Sequence, residues 1–243
     1  MKRIFKSKKQ WLKNRKIGGT DLATVINGVG RWQTVNDLYD RLVNGKVEIK
    51  KETQAMANGR LAESHIIALF LTQTPHLRPI RHGQGYLLIT NKNEPYLTLS
   101  PDCLVKDTQS KQRGFIEIKL KQIYSENQIA NYLSNLKEQE PQYYWQLIHY
   151  FIVEKSLQFG YLVVAFQIKR KEGEIWQNDK IIIDSLKVNR QDVQDDINTA
   201  KAKLKDFINN NVIKRIRPSI KVENQKESKI EWSKLSNIAI LNQ

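Results

Sequence analysis

A Ser100-Pro101-Asp102 followed, across one short apolar stretch and one polar turn, by Glu117-Ile118-Lys119 fixes more of this chain's architecture than any other part of it. In an extended strand residues i and i+2 share a face about 6–7 Å apart, so Glu117 and Lys119 project together while Ile116 and Ile118 face the other way. Residues 102–105 read as a strand start and 107–113 as a hairpin loop, which folds Asp102 back beside Glu117. Two carboxylates and an ammonium then converge. Hard oxygen ligands of this sort suit Mg²⁺ or Mn²⁺, and the lysine is placed to orient or deprotonate a water aimed at a phosphorus atom. Each half of the motif has an ordinary alternative: Glu-x-Lys on a solvated strand face, and Ser-Pro-Asp as a plain strand entry.

Lysine and arginine number 40 against 25 acidic residues, a net charge of +15 in 243 residues. That surplus favours a polyanionic partner, nucleic acid before an anionic membrane surface. No apolar run approaches the roughly 18 residues that span a bilayer, and no apolar segment follows the basic N-terminus, so a cytoplasmic protein is expected. Cys103 is the single cysteine, which excludes an internal disulfide, a cysteine-based zinc site and an iron–sulfur cluster. His65, His76, His82 and His149 lack metal-ligand spacing and read as structural or surface residues.

Residues 1–16 hold eight basic side chains and no acidic one, with Phe5 and Trp11 between them. They read as a solvated helix or arm able to touch phosphates. Gly18-Gly19-Thr20-Asp21 frees the backbone and offers Thr20 or Asp21 as the cap of a helix over 22–26. Helices are expected over 34–43, ended by Asn44-Gly45, and over 53–71, interrupted by Gly59 and carrying Glu63. Strands over 86–90, 96–99, 103–106 and 115–118 suggest one antiparallel meander within 77–118. Pro141 opens an apolar helix over 142–154. Strands over 159–169 and 175–184 flank a polar turn at 170–173, and an amphipathic helix over 191–208 buries Val193, Ile197, Ala200, Leu204, Phe207 and Ile208. Residues 219–243 read as a polar tail in which Trp232, Leu235 and Ile238 hint at a short docking helix. The whole reads as one α/β domain over 1–218.

Four segments in one order now carry a resemblance: Trp11-x-x-x-Arg15 with Gly18-Gly19-Thr20-Asp21, Gly59-x-x-x-Glu63, Ser100-Pro101-Asp102 with Glu117-Ile118-Lys119, and Tyr143-x-x-Gln146-x-x-x-Tyr150. Over roughly residues 9–210 the chain resembles the lambda-exonuclease family of phage recombination nucleases (YqaJ-like viral recombinases), within the PD-(D/E)XK, RecB-like superfamily. The resemblance implies a restriction-endonuclease-like core, a central mixed sheet flanked by helices. It implies Asp102, Glu117 and the Ile118 carbonyl as ligands of two Mg²⁺ ions, with Lys119 beside the attacking water and Glu63 and Gln146 facing the metals. Arg15, Thr20 and Ser100 match the positions that bind a terminal 5′-phosphate, and Met56 the apolar wedge at a duplex end; Tyr150 reads as core. Cys103, where the family often has Gly, and a stretch after Arg15 about one residue shorter depart from the pattern. The implied activity is 5′-to-3′ digestion of one strand of duplex DNA by a homotrimer, in a bacterial host cytoplasm, leaving a 3′ single strand for an annealing protein. An endonuclease on the same fold and a catalytically silent DNA-binding module are the rival expectations.

Overall fold

The computed structural model describes residues 1–28, 30–46, 53–82, 86–172 and 175–219; the expected docking helix at Trp232, Leu235 and Ile238 lies outside them. Strand β1 (Lys2–Phe5) leads into α1 (Lys8–Asn14), α2 (Gly19–Asn27), α3 (Val35–Val43) and α4 (Gln54–Gln73). Then come β2 (Leu77–His82), β3 (Tyr86–Thr90), β4 (Thr98–Leu99), β5 (Cys103–Asp107) and β6 (Arg113–Ile123). Helices α5 (Asn127–Ser134), α6 (Leu136–Gln139) and α7 (Pro141–Val153) separate these from β7 (Leu157–Glu172) and β8 (Ile175–Asn189). Helix α8 (Gln194–Asp206) runs on into a π-helical segment, Phe207–Ile213.

The central sheet has the order β2-β5-β6-β7-β8. Only β6 and β7 are parallel, with Glu117 opposite Leu162 and Lys119 opposite Val164. A parallel pair needs a long crossover, and here α5, α6 and α7 supply it. Apolar residues alternate along β5 and β6 to serve two cores. On one face Leu104, Phe115, Leu162, Val164 and Phe166 pack with α7 and α8. On the other, Cys103, Val105, Ile116, Ile118 and Val163 pack with Ile66, Ile67 and Phe70 of α4. The mixed sheet flanked by helices is the fold expected from the sequence.

Three local expectations give way. Residues 2–5 are not a solvated helix or arm: they pair antiparallel with β3, Lys2 opposite Ile89 and Phe5 opposite Tyr86. The stretch 77–118 is not one meander, because β3 and β4 join β1 in a separate three-stranded sheet while β2 and β5 belong to the central one. Ser100-Pro101-Asp102 makes the crossing between the sheets. Third, residues 170–172 are strand rather than turn, because the β7–β8 ladder continues to Glu172 opposite Ile175. Helices α5 and α6 lie outside the expected elements: α5 buries Ile129, Tyr132 and Leu133 and α6 only Leu136, repeats too short to signal a helix.

Candidate active site

Antiparallel pairing of β5 with β6 sets Cys103 opposite Ile116, so Asp102 sits beside Glu117 as the hairpin reading required. Asp102 Oδ2 accepts the Ile118 N–H at 2.7 Å. The N–H and C=O of one strand residue leave by the same edge, so the Ile118 carbonyl also points from β6 toward Asp102.

Glu117 is 4% exposed, and a carboxylate this far from water needs donors. It has three. Oε1 accepts from Lys119 Nζ at 2.5 Å and Gln146 Nε2 at 2.6 Å, and Oε2 from Tyr150 Oη at 3.0 Å. Gln146 Nε2 also donates to Tyr150 Oη at 2.8 Å, while Gln146 Oε1 is buried with no partner. Tyr150 is core, as read, 2% exposed and edge-on against Phe115, and its hydroxyl in addition holds Glu117. Burial and then Glu117 push its pKa up, so the hydroxyl stays a donor.

Electrostatics at this point are unbalanced. Burial first, then Glu117, hold Asp102 well above the usual carboxylate range, with Glu63 adding to the effect. Glu63, on α4, is raised by burial and by Glu117 in turn. Lys119 is buried too, which disfavours its charge, yet Glu117 and Asp102 outweigh that and hold it above its ordinary value. It donates to Glu117. Among the described residues no group of three or more His, Cys, Asp or Glu side chains is set to hold an ion by itself. The donor set nevertheless suits a hard divalent cation: two adjacent carboxylates, a main-chain carbonyl, an orphaned amide oxygen on Gln146, and Glu63 within the same field. Gly59, one turn before Glu63, has open space where a Cβ would stand.

A cavity of about 730 Å³ joins Asp102 and Glu63 to Arg15, Thr20 and Ser100. Helix α2 starts at Gly19, earlier than expected, because Gly18 is the cap and the Asp21 carboxylate returns to its N–H at 2.7 Å. Burial alone would raise Asp21, but Arg15 and Arg41 hold it below the usual range. Arg15 donates to Thr20 Oγ1 at 2.8 Å and lies over the Trp11 ring, 5.2 Å from its centroid. Packing requires the second glycine, whereas at the first a Cβ would displace only the flexible end of Arg15. A Cβ on Gly18 would lie 2.6 Å from the Arg15 guanidinium, and one on Gly19 would lie 2.6 Å from Gln146 Cγ and 2.9 Å from Tyr150 Cε1.

Two of the expected phosphate-end residues fit less well. Ser100 Oγ donates to the Leu87 carbonyl at 2.6 Å, which leaves the cavity its lone pairs and no donor. Met56 is half-exposed in the first turn of α4, outside the cavity lining. Lys8, Trp11 and Tyr86 do line it and were not singled out as site residues. The signal for Trp11 was there: it stands four residues before Arg15, on the same helix face.

Residues 10–156 match the family model described as the YqaJ-like viral recombinase domain. None of the curated proteins compared with the chain matches it. Among solved structures, an alkaline exonuclease (LHK-Exo) from Laribacter hongkongensis is similar, at 19% identity and TM-score 0.52 over 86% of this chain and 94% of that one. The same exonuclease in complex with dAMP gives a TM-score of 0.53 over the same shares of the two chains, also at 19% identity. A phage-related exonuclease from Haemophilus somnus 129PT is 12% identical, with a TM-score of 0.53 over 82% of this chain and 96% of that one.

Proposed function

The chain belongs to the family of YqaJ-like viral recombinase domains, and from that premise we propose that it is a Mg²⁺-dependent exonuclease that digests one strand of duplex DNA from the 5′ end. The observation that carries this reading is the single cavity running from Arg15 and Thr20 to Asp102 and Glu63: a grip for a terminal phosphate and a cation-starved carboxylate cluster share one space. Asp102, Glu117 and the Ile118 carbonyl are the proposed holders of the ion or ions. A bound divalent cation supplies Lewis-acid polarisation of the phosphoryl group and a lowered pKa for water.

The chain's own residues do the rest. Gln146 and Tyr150 fix both oxygens of Glu117 before any substrate arrives, which spares reorganisation at the reacting centre. Lys119, held in place by Glu117, orients the attacking water. Arg15 presents a planar fork of donors to the terminal phosphate; Thr20 holds the fork in place. A 730 Å³ space has room for a nucleoside monophosphate, the kind of molecule bound by the Laribacter exonuclease in its dAMP complex. A homotrimer and a strand-annealing partner complete the proposal by family analogy. The test is digestion of linear duplex labelled at one or the other end, in Mg²⁺, beside closed circular DNA. Release from 5′ ends alone is the expected result; cutting of closed circles makes the enzyme an endonuclease, and silence in every divalent cation rejects the reading.

A further inference from the structure

Helix α7 and strand β6 run antiparallel and meet in matched steps. Tyr150 lies against Phe115, Gln146 against Glu117, Tyr143 against Lys119, and Glu140 at the head of the helix against Lys121. Each step is about 6.6 Å along the strand and one helical turn along the helix. The last two steps repeat one arrangement. Lys119 sits between the Glu117 carboxylate and the Tyr143 ring, 5.1 Å from its centroid. Lys121 sits between the Glu140 carboxylate, at 2.6 Å, and the Tyr132 ring, 5.2 Å from its centroid.

Glu140 is itself 5% exposed. It accepts from Arg31 Nη1 at 3.3 Å and Gln142 Nε2 at 2.5 Å as well as from Lys121, so two cations share one carboxylate and the cluster keeps a surplus positive charge. Exposure of the cationic side chains rises outward from Glu117: 17% at Lys119, 35% at Lys121, 48% at Arg31. Arg31 lies over the half-exposed Trp32. The Tyr132 hydroxyl beside them is buried and without a hydrogen-bond partner. None of Lys121, Arg31 and Glu140 lines the cavity that ends at Arg15; the cluster is one step beyond Lys119 on the opposite side.

We propose that Lys121, positioned by Glu140 and joined by Arg31, is a second phosphate-binding position, which holds the DNA strand on the 3′ side of the scissile bond. This rests on the function proposed above. A strand whose scissile phosphate lies over Glu117 and Lys119 and whose 5′ end points to Arg15 must leave along β6, where the next cation is Lys121. Adjacent phosphates of an extended strand are separated by a distance similar to the Lys119–Lys121 step. Such a site grips the part of the strand not yet digested, so the enzyme stays attached after each mononucleotide leaves.

The test is a set of 5′-phosphorylated duplexes, each with one uncharged methylphosphonate at a successive position from the 5′ end, with binding measured in Ca²⁺ to hold back cleavage. Wild type should lose about tenfold in affinity when the neutral group stands immediately 3′ of the scissile phosphate, the size expected for one charge-assisted contact. Lys121→Gln/Glu140→Gln removes the pair together and leaves only Arg31, whose side chain is half-exposed, with its charge met by solvent. It should bind unmodified duplex about tenfold more weakly, become indifferent to the methylphosphonate at that position, and keep its preference for a 5′-phosphate over a 5′-hydroxyl. Should the double variant not fold, Arg31→Gln at the exposed end carries the test, with a smaller loss confined to the same position. A double or Arg31 variant as sensitive as wild type at every position makes the cluster a structural staple and overturns the proposal. If wild type neither binds nor digests duplex in Mg²⁺, the function itself fails, and that outcome is distinct.

Discussion

Gly19→Ala is a one-methyl perturbation placed where the backbone of α2 touches the side chains that hold Glu117. The added Cβ would stand 2.6 Å from Gln146 Cγ and 2.9 Å from Tyr150 Cε1, where ordinary contact begins at 3.4 Å. Something must therefore move by close to an ångström. Tyr150 is wedged against Phe115 and Gln146 lies on a helix buried along most of its length, so the shift falls on α2 and on the hydrogen bonds to Glu117. Overpacking of a filled core costs about 1–3 kcal/mol, and a displacement near 1 Å in a reacting constellation costs about 100-fold in rate. Urea unfolding should register the first and Mg²⁺-dependent digestion of 5′-phosphorylated duplex the second. Gly28→Ala is the control. Gly28 has φ +77° and open space around a Cβ, so it should lose on the order of 1 kcal/mol through backbone strain with digestion intact. A Gly19→Ala enzyme with wild-type stability and a rate within a few-fold of normal would refute the packing argument and the role given to Gln146 and Tyr150.

Glu117→Gln should abolish Mg²⁺-dependent digestion while duplex binding and the far-ultraviolet circular dichroism spectrum persist; cleavage within a few-fold of wild type would remove Glu117 from the site. Arg15→Ala should cut the preference for 5′-phosphoryl over 5′-hydroxyl ends by about ten- to a hundredfold, the worth of a charge-assisted pair, as read from initial rates on the two substrates. His149 is fully buried, its Nε2 2.9 Å from the Thr98 carbonyl, and burial, aided by Arg15, lowers its pKa to about 4. Its folded pKa lies below the unfolded value near 6.5, so the stability it contributes is complete above pH 6.5 and is lost as pH falls toward 4. The loss is about 3 kcal/mol. Urea midpoints between pH 7 and pH 4 should fall less steeply in His149→Gln than in wild type; parallel curves would exclude this histidine as the source.

The carboxylate half of the candidate site was legible because it is local. Asp102, Glu117 and Lys119 lie on one hairpin, and strand periodicity alone decides which way they face. What periodicity cannot supply is the partner across the fold. Tyr150 looked like core because a tyrosine in an apolar helix usually is, and only the packing of α7 on β6 shows that its ring is buried while its hydroxyl serves Glu117. Gly18 and Gly19 read as a freed backbone, but at Gly19 the reason is close approach to Gln146 and Tyr150. Strand β1 escaped for a related reason: a basic segment without alternation carries no strand signal, and it is the free edge of β3 that recruits it. Ser100 matches a phosphate-end position by resemblance alone, and its hydroxyl is taken by the Leu87 carbonyl of β3.

Ser100-Pro101-Asp102 spans the gap between the two sheets, and that gives the molecule a fixed gauge. Ser100 closes one end, where Tyr150 Oη reaches its carbonyl at 3.2 Å, and Asp102 closes the other, anchored on the Ile118 amide at 2.7 Å. Two peptide units, stiffened by a proline, set the separation between the wall of the cavity and the carboxylate, roughly 7 Å for an extended chain. That spacing is written in covalent bonds, so substitutions elsewhere can shift the side chains lining the cavity while the distance from its wall to the carboxylate stays the same.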